Sequence, residues 1–201
     1  YSMKHLKAWM KPEKRKTNKP MNLLGGKSQV RYFPKGVVGI ISPWNLPFGL
    51  TVAPLTSALA AGNRALLKPS EYVPETAALF AEVVPKYFSR EEVAVVTGGA
   101  DIGQEFAELP FDHLLFTGST RVGAKVMQSA SKNLVPVTLE LGGKSPVIIG
   151  RSANLELAST RLAFGKFLNG GQLCLSPDYV LVPQELEEQF IGRVIREAQS
   201  M

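Results

Sequence analysis

Gly36-Val37-Val38-Gly39-Ile40-Ile41-Ser42, stopped by Pro43, is an uncharged, β-branched run punctuated by glycine. It shows no apolar–polar alternation, so it predicts a strand buried on both faces, as in a parallel sheet. The chain on either side supports that reading. Residues 47–61, ending at Gly62, predict an apolar helix, and Asn63-Arg-Ala-Leu-Leu-Lys68, ended by Pro69, a second strand. Residues 74–88 carry Ala77, Phe80, Ala81 and Val84 at helical spacing, with Pro74 suited to a first turn. Val93-Ala-Val-Val-Thr97 and His113-Leu-Leu-Phe-Thr117 predict two more strands, separated by Gly98-Gly99 and a short helix over 101–109. Ser119 is placed to cap a helix running to about Lys132. Beyond it come β runs at Val137–Leu141 and Pro146–Ile149, a helix over 154–168, a strand at Tyr179–Val182 and a helix over 184–199. Strands alternating with helices of this length make βαβ units, so the expected fold is α/β with a mostly parallel sheet.

Charge divides the chain unevenly. The net charge is +6, but residues 1–35 hold ten Lys/Arg against the single acid Glu13, and the remainder is slightly acidic. The basic character therefore belongs to a leading arm. A basic arm can bind nucleic acid, but no aromatic interleaving or recognition-helix pattern accompanies it, so it reads as a solvated helix and linker. The linker is expected at residues 12–30, rich in Lys, Pro, Asn and Gly. One cysteine, Cys174, excludes an internal disulfide framework and any multi-cysteine metal site. His5 and His113 lie far apart, so no metal site is expected. No apolar run is long enough to span a bilayer, and no signal-peptide pattern is visible. The expected location is cytoplasmic, without membrane or nucleic-acid partners. The first residue is Tyr1, which suggests a piece of a longer protein.

In an open α/β sheet, ligands sit beyond the carboxyl ends of the strands. Here those ends are Ser42 to Asn45, Lys68 to Glu71, Gly98-Gly99 and Thr117 to Gly123. Phe116-Thr-Gly-Ser-Thr-Arg-Val-Gly123 turns from strand to helix through glycine, which aims backbone N–H groups and the helix dipole at an anion. It lacks the GxGxxG pattern and reads equally as a plain turn. Lys68 and Glu71 can hold ribose hydroxyls or form an exposed salt bridge. Two prolines bracket Asn45 in Pro43-Trp-Asn-Leu-Pro47, fixing an amide that can serve as an oxyanion donor or simply sit in a turn. Glu140 interrupts an apolar β run beside Gly142-Gly143. If buried, it would bind its proton more tightly, as a general base requires; if alternation turns it outward, it is a surface carboxylate. Cys174 follows the loop Asn169-Gly-Gly-Gln-Leu, which gives a thiol access to a carbonyl carbon, although free cysteines are commonly inert core residues.

Together, Pro43-Trp-Asn45, Lys68-Pro-Ser-Glu71, Phe116-Thr-Gly-Ser119, Leu139-Glu-Leu-Gly-Gly-Lys144 and Gly171-Gln-Leu-Cys174 resemble the aldehyde dehydrogenase superfamily in order and spacing, from about residue 30 onward. The stretches 111–119, 138–146 and 177–183 look most like the class 3 and coniferyl-aldehyde dehydrogenase branch. The resemblance implies a Rossmann-like NAD(P)-binding domain over residues 36–140, with helices on both faces of the sheet. Before it, residues 1–35 would form a basic helix, a linker and a strand segment used in oligomerisation. Residues 141–201 would begin a catalytic α/β domain. The resemblance also implies oxidation of an aldehyde to the acid, and its branch an aromatic, coniferyl-aldehyde-like substrate. Cys174 would be the nucleophile, Asn45 the oxyanion donor and Glu140 the base. Ser42, Trp44, Lys68, Ser70, Glu71, Gly98, Gly118, Ser119, Leu141 and Gly142 would contact the cofactor. That cofactor is expected to be NAD, with NADP also open, and the full-length protein a homo-oligomer such as a dimer. The chain is shorter than members of the family, so a truncated, non-catalytic cofactor-binding or assembly module is the competing expectation.

Overall fold

The structure is a computed structural model describing residues 1–201. It divides into two units, residues 1–140 and 141–201. In the first, the chain runs α1 (Ser2–Trp9), β1 (Glu13–Arg15), β2 (Ser28–Val30), β3 (Val37–Ile41), α2 (Gly49–Ala60), β4 (Arg64–Lys68), α3 (Pro74–Tyr87), β5 (Val93–Val95), α4 (Ala100–Ala107), β6 (His113–Gly118), α5 (Thr120–Ser131) and β7 (Val137–Leu141). Five strands form one sheet in the order β5-β4-β3-β6-β7. β3 pairs in parallel with both β4 and β6, and β4 with β5. The chain thus starts at the middle of the sheet, winds outward to β5, then returns to the other side of β3. This reversal opens a crevice between the carboxyl ends of β3 and β6.

Both faces of β3 are covered, which accounts for its unbroken apolar sequence. On one face Val38 and Ile40 pack with Ala65 and Leu67 of β4, Val93 of β5, Leu55 and Ala58 of α2, and Phe80 and Val84 of α3. Each large side chain buried there contributes roughly 1.5–3 kcal/mol. On the other face lie Leu114 and Phe116, with buried Phe106 and Ala107 of α4 and Val126 and Ala130 of α5. Gly39 faces this second layer. A Cβ there would stand 2.6 Å from the Phe111 ring and 2.8 Å from Leu114 Cδ1. Phe111 itself packs on Phe106, ring centroids 5.0 Å apart and tilted by 43°, and Leu114 is fully buried, so neither neighbour has room to retreat.

The amino end of the sheet is pinned by polar groups. Asn63 Oδ1 accepts from the N–H groups of Lys35 and Gly36 at 2.7 and 3.0 Å, and Asp112 Oδ2 accepts from Val37 N–H at 2.7 Å. His113 lies beside this seam, with Nε2 2.9 Å from Thr138 Oγ1 and Nδ1 3.5 Å from the Lys35 ammonium. Lys35 can only donate, so Nδ1 accepts and Nε2–H donates to Thr138, the neutral tautomer. Burial, reinforced by the Lys35 charge, holds the His113 pKa below its ordinary value.

Residues 12–30 correct the expectation of a linker. Glu13, Lys14 and Arg15 pair antiparallel with Val30, Gln29 and Ser28. Thr17 Oγ1 accepts from Ser28 N–H at 2.9 Å. The Glu13 carboxylate accepts from Tyr32 O–H at 2.9 Å and from Arg15. The Tyr32 hydrogen bond, then Arg15, hold the Glu13 carboxyl below the usual range. The second unit holds β8 (Ser145–Ile148), α6 (Leu155–Phe167), β9 (Pro177–Leu181) and α7 (Glu187–Gln199). β8 and β9 pair in parallel across α6, with an irregularity at Ser145/Pro146 that accommodates a residue lacking N–H. Asn154 caps α6, accepting from Leu157 N–H at 3.0 Å. Ile149, Ser159, Ala163 and Phe190 are buried in this unit.

Two outcomes follow for stability. Gly39→Ala should cost about 1–3 kcal/mol by overpacking, read as a lower thermal midpoint. Gly49→Ala, whose Cβ would meet nothing within 4 Å, should cost nothing. For His113, the unfolded chain binds the extra proton at a higher pH than the folded one. Stability should therefore fall as pH drops below about 6.5 toward the lower folded pKa. His113→Gln should flatten the change in denaturation midpoint between about pH 7.5 and about pH 5.5; an unaltered pH dependence would contradict the assignment.

Candidate active site

A cleft of about 690 Å³ opens at the carboxyl ends of β3, β4 and β6. Ser42, Trp44, Lys68, Ser70, Glu71, Gly118 and Ser119 all line it. These residues come from three strand ends spread over more than seventy positions. The sheet reversal alone makes them neighbours. Gly98 lies instead in an adjoining groove of about 500 Å³, shared with Ser70 and Glu71 and floored by Pro74, Ala77 and Ala81.

Lys68 is the unusual member. It is 2% exposed, which overturns the reading of an exposed salt bridge. Its ammonium donates to Pro69 O at 3.0 Å and stands 3.5 Å from Glu71 Oε2. One carbonyl and one distant carboxylate compensate a buried charge poorly, so further acceptors are favoured beside it. Ser70 is buried, and its Oγ accepts from Tyr72 N–H at 3.3 Å, holding the turn beyond β4.

Ser119 caps α5, its Oγ accepting from Val122 N–H at 3.3 Å. The remaining first-turn N–H groups of α5 have no intrahelical acceptor and carry the positive end of the dipole toward the cleft. Arg121 and Lys125, one helical turn apart, also line it. Arg121 lies inside the strand-end segment 117–123, whereas Lys125 lies one turn beyond it; their signal is two cations at i, i+4 directly after a strand-end Gly-Ser. Thr117, at a strand end named from the sequence, lines it too, and Tyr72 and Gln104 are further lining residues found only in the fold.

The loop after β3 is held from within. Ser42 and Thr51 are 3% and 0% exposed, and Thr51 Oγ1 lies 2.6 Å from Ser42 Oγ and 2.6 Å from Pro47 O. Ser42 N–H donates to Lys68 O at 3.2 Å, tying this loop to the strand that carries the buried cation. Asn45 is half-buried between these anchors, and Trp44 beside it is 47% exposed.

Glu140 is exposed, so of the two readings open in the sequence this chain carries the surface carboxylate. β7 is the last strand of the sheet, and its burial falls away at Glu140. Cys174, in the second unit, is a free, exposed cysteine. It follows three residues in left-handed conformation, Asn169, Gly170 and Gly171, with φ of 53°, 64° and 73°. Glycine tolerates this conformation without strain, which explains the Gly-Gly pair. A Cβ on Gly143 would lie 3.1 Å from Cys174 O, so the Gly142-Gly143 segment runs directly against the cysteine backbone. Gly142 is exposed and Leu141 half-buried at the start of that segment.

Comparison with known proteins finds similar chains and similar folds. The probable coniferyl aldehyde dehydrogenase of Caulobacter vibrioides is 56% identical over 192 residues, which is 95% of this chain and 40% of the relative. The substrate-bound state of Staphylococcus aureus AldH superimposes with a TM-score of 0.93 at 43% identity, covering 99% of this chain and 43% of that one. The Mycobacterium tuberculosis aldehyde dehydrogenase complexed with NAD+ gives a TM-score of 0.87 at 33% identity, covering 100% of this chain and 41% of that one. The chain thus spans about 40% of the length of the curated relative it matches. No helix is long and apolar enough to cross a membrane. Residues 2–201 match the aldehyde dehydrogenase family, and the chain belongs to that family.

Proposed function

We propose that the cleft of the first unit holds a nicotinamide dinucleotide, and that the complete protein carrying this chain oxidises an aldehyde to its carboxylic acid. The observation that carries this is the buried, under-compensated Lys68 ammonium at the sheet reversal, flanked by Glu71 and by the positive end of α5. Lys68 and Glu71 would meet ribose hydroxyls, and Gly118 and Ser119 the pyrophosphate. Ser42, Trp44 and Ser70 would line the same ligand, Gly98 its edge, and Leu141 and Gly142 the nicotinamide. When bound, the cofactor accepts a hydride. Glu71 repels a 2′-phosphate and Lys68 attracts one, so NAD is favoured and NADP is tolerated.

The chain's own residues divide the remaining chemistry. The Cys174 thiolate adds to the aldehyde carbon, and the C=O electron pair moves onto oxygen. The Asn45 amide and the Cys174 N–H donate to that oxyanion. Loss of hydride from the thiohemiacetal leaves a thioester on Cys174. Glu140, being exposed, is within reach of solvent and takes a proton from the water that hydrolyses the thioester, freeing acid and thiol. Kinship with a coniferyl aldehyde dehydrogenase supports an aromatic aldehyde as substrate. The β1–β2 ribbon and the segment to residue 33 would serve assembly into a homodimer. A cytoplasmic location agrees with this chemistry.

Calorimetric titration of the 201-residue chain with NAD+ tests the cleft directly. Lys68→Met should weaken binding about tenfold to a hundredfold, the worth of charge-assisted hydrogen bonds. The same variant should be no less stable, because it removes a poorly paired buried charge. Equal affinity would sink the assignment. The chain by itself should form no NADH from an aldehyde, whereas Cys174→Ala in the complete open reading frame should abolish NADH formation with folding retained. Steady turnover by the short chain, or activity surviving Cys174→Ala, would overturn the respective claim.

A further inference from the structure

We propose that Thr51 is the positioning residue for Asn45. This rests on the reading of Asn45 as oxyanion donor given above. Thr51 is the third residue of a mostly apolar helix and is fully buried, so packing alone would be served by valine. Its hydroxyl has one proton and two neighbours at 2.6 Å, Pro47 O and Ser42 Oγ. Pro47 O can only accept, so Thr51 donates to it, and Ser42 O–H donates to Thr51 Oγ1. One side chain thereby grips both ends of Pro43–Leu46, the segment that carries Asn45.

That grip closes the segment from both ends. Pro43 and Pro47 fix their own φ but contribute no N–H. Two backbone ties flank it, Ser42 N–H to Lys68 O at 3.2 Å and Leu50 N–H to Leu46 O at 2.9 Å. A hydroxyl bonded only to the carbonyl four residues earlier would be a local helix contact. The second bond, to Ser42 at the end of β3, converts it into a link between α2 and the sheet. Ser42 is thereby left as an acceptor toward the cleft, its proton being directed inward. Displacing an oxyanion donor by a fraction of an ångström lowers the chemical step without altering ground-state cofactor binding.

Thr51→Val keeps the shape and removes the hydroxyl; Thr51→Ser keeps the hydroxyl. In the complete open reading frame, Thr51→Val should lower kcat about tenfold with KM for NAD+ changed by less than about twofold. Thr51→Ser should restore kcat to within about twofold. In an Asn45→Ala background, Thr51→Val should cost nothing more, since both act on one donor. In the 201-residue chain, the Asn45 side-chain amide should give one sharp pair of ¹⁵N-resolved resonances that Thr51→Val broadens or splits. If Thr51→Val does not fold, Ser42→Ala breaks the outer bond with little change in volume and should show the same kcat loss. Wild-type kcat and an unchanged Asn45 amide in the hydroxyl-less variants, with Asn45→Ala still inactive, would overturn the role of Thr51 alone. Full activity in Asn45→Ala would instead overturn the oxyanion reading beneath it.

Discussion

β3 is hydrogen-bonded in parallel on both sides, to β4 and to β6, and the rest of the first unit is arranged around that fact. A strand with two parallel neighbours needs helices on both faces and crossovers that leave in opposite directions. The crossovers bring Ser42, Lys68 and Ser119 to one rim. Gly39 sets how closely the layer of Phe111 and Leu114 approaches β3. Without that approach the second layer would stand off the sheet, and α5 would not present its first turn at the crevice.

The electrostatics of the rim follow from the same placement. Lys68 is buried because it is the last residue of an interior strand, not because a partner demands it. Its charge is therefore left partly unanswered, and the free N–H groups of α5, with Arg121 and Lys125, add to the positive field. A ligand carrying phosphates and ribose hydroxyls answers those groups together. The thiol sits in the second unit on a turn that glycine permits, with Gly143 packed on the cysteine backbone.

Much of this was legible in the sequence, for physical reasons. Strands such as Val37–Ile41 are uncharged, β-branched and bounded by glycine or proline, so their burial is written locally. Ser119 announces its helix because a cap must directly precede it, and the bond to Val122 is there. The β1–β2 ribbon, implied only as a strand segment by the family resemblance, has no local signal because its strands are three residues long and mostly polar, and are held by contacts eleven and nineteen positions apart, Thr17 with Ser28 and Glu13 with Tyr32. The burial of Glu140 stayed open in the sequence because it depends on where the sheet ends as well as on strand alternation. Lys125 and Thr51 carry no local mark that singles them out. Their neighbours come from other strands, so only the assembled sheet gives them a role.

The central claim is that aldehyde oxidation passes through an acyl group on Cys174. The direct measurement is rapid quenching of the complete protein with an aromatic aldehyde and NAD+, followed by peptide mass spectrometry. The account predicts an acyl adduct on the Cys174 peptide, released by hydroxylamine and accumulating further in Glu140→Gln. NADH formation with the Cys174 peptide unmodified, or an adduct on another residue, would contradict it.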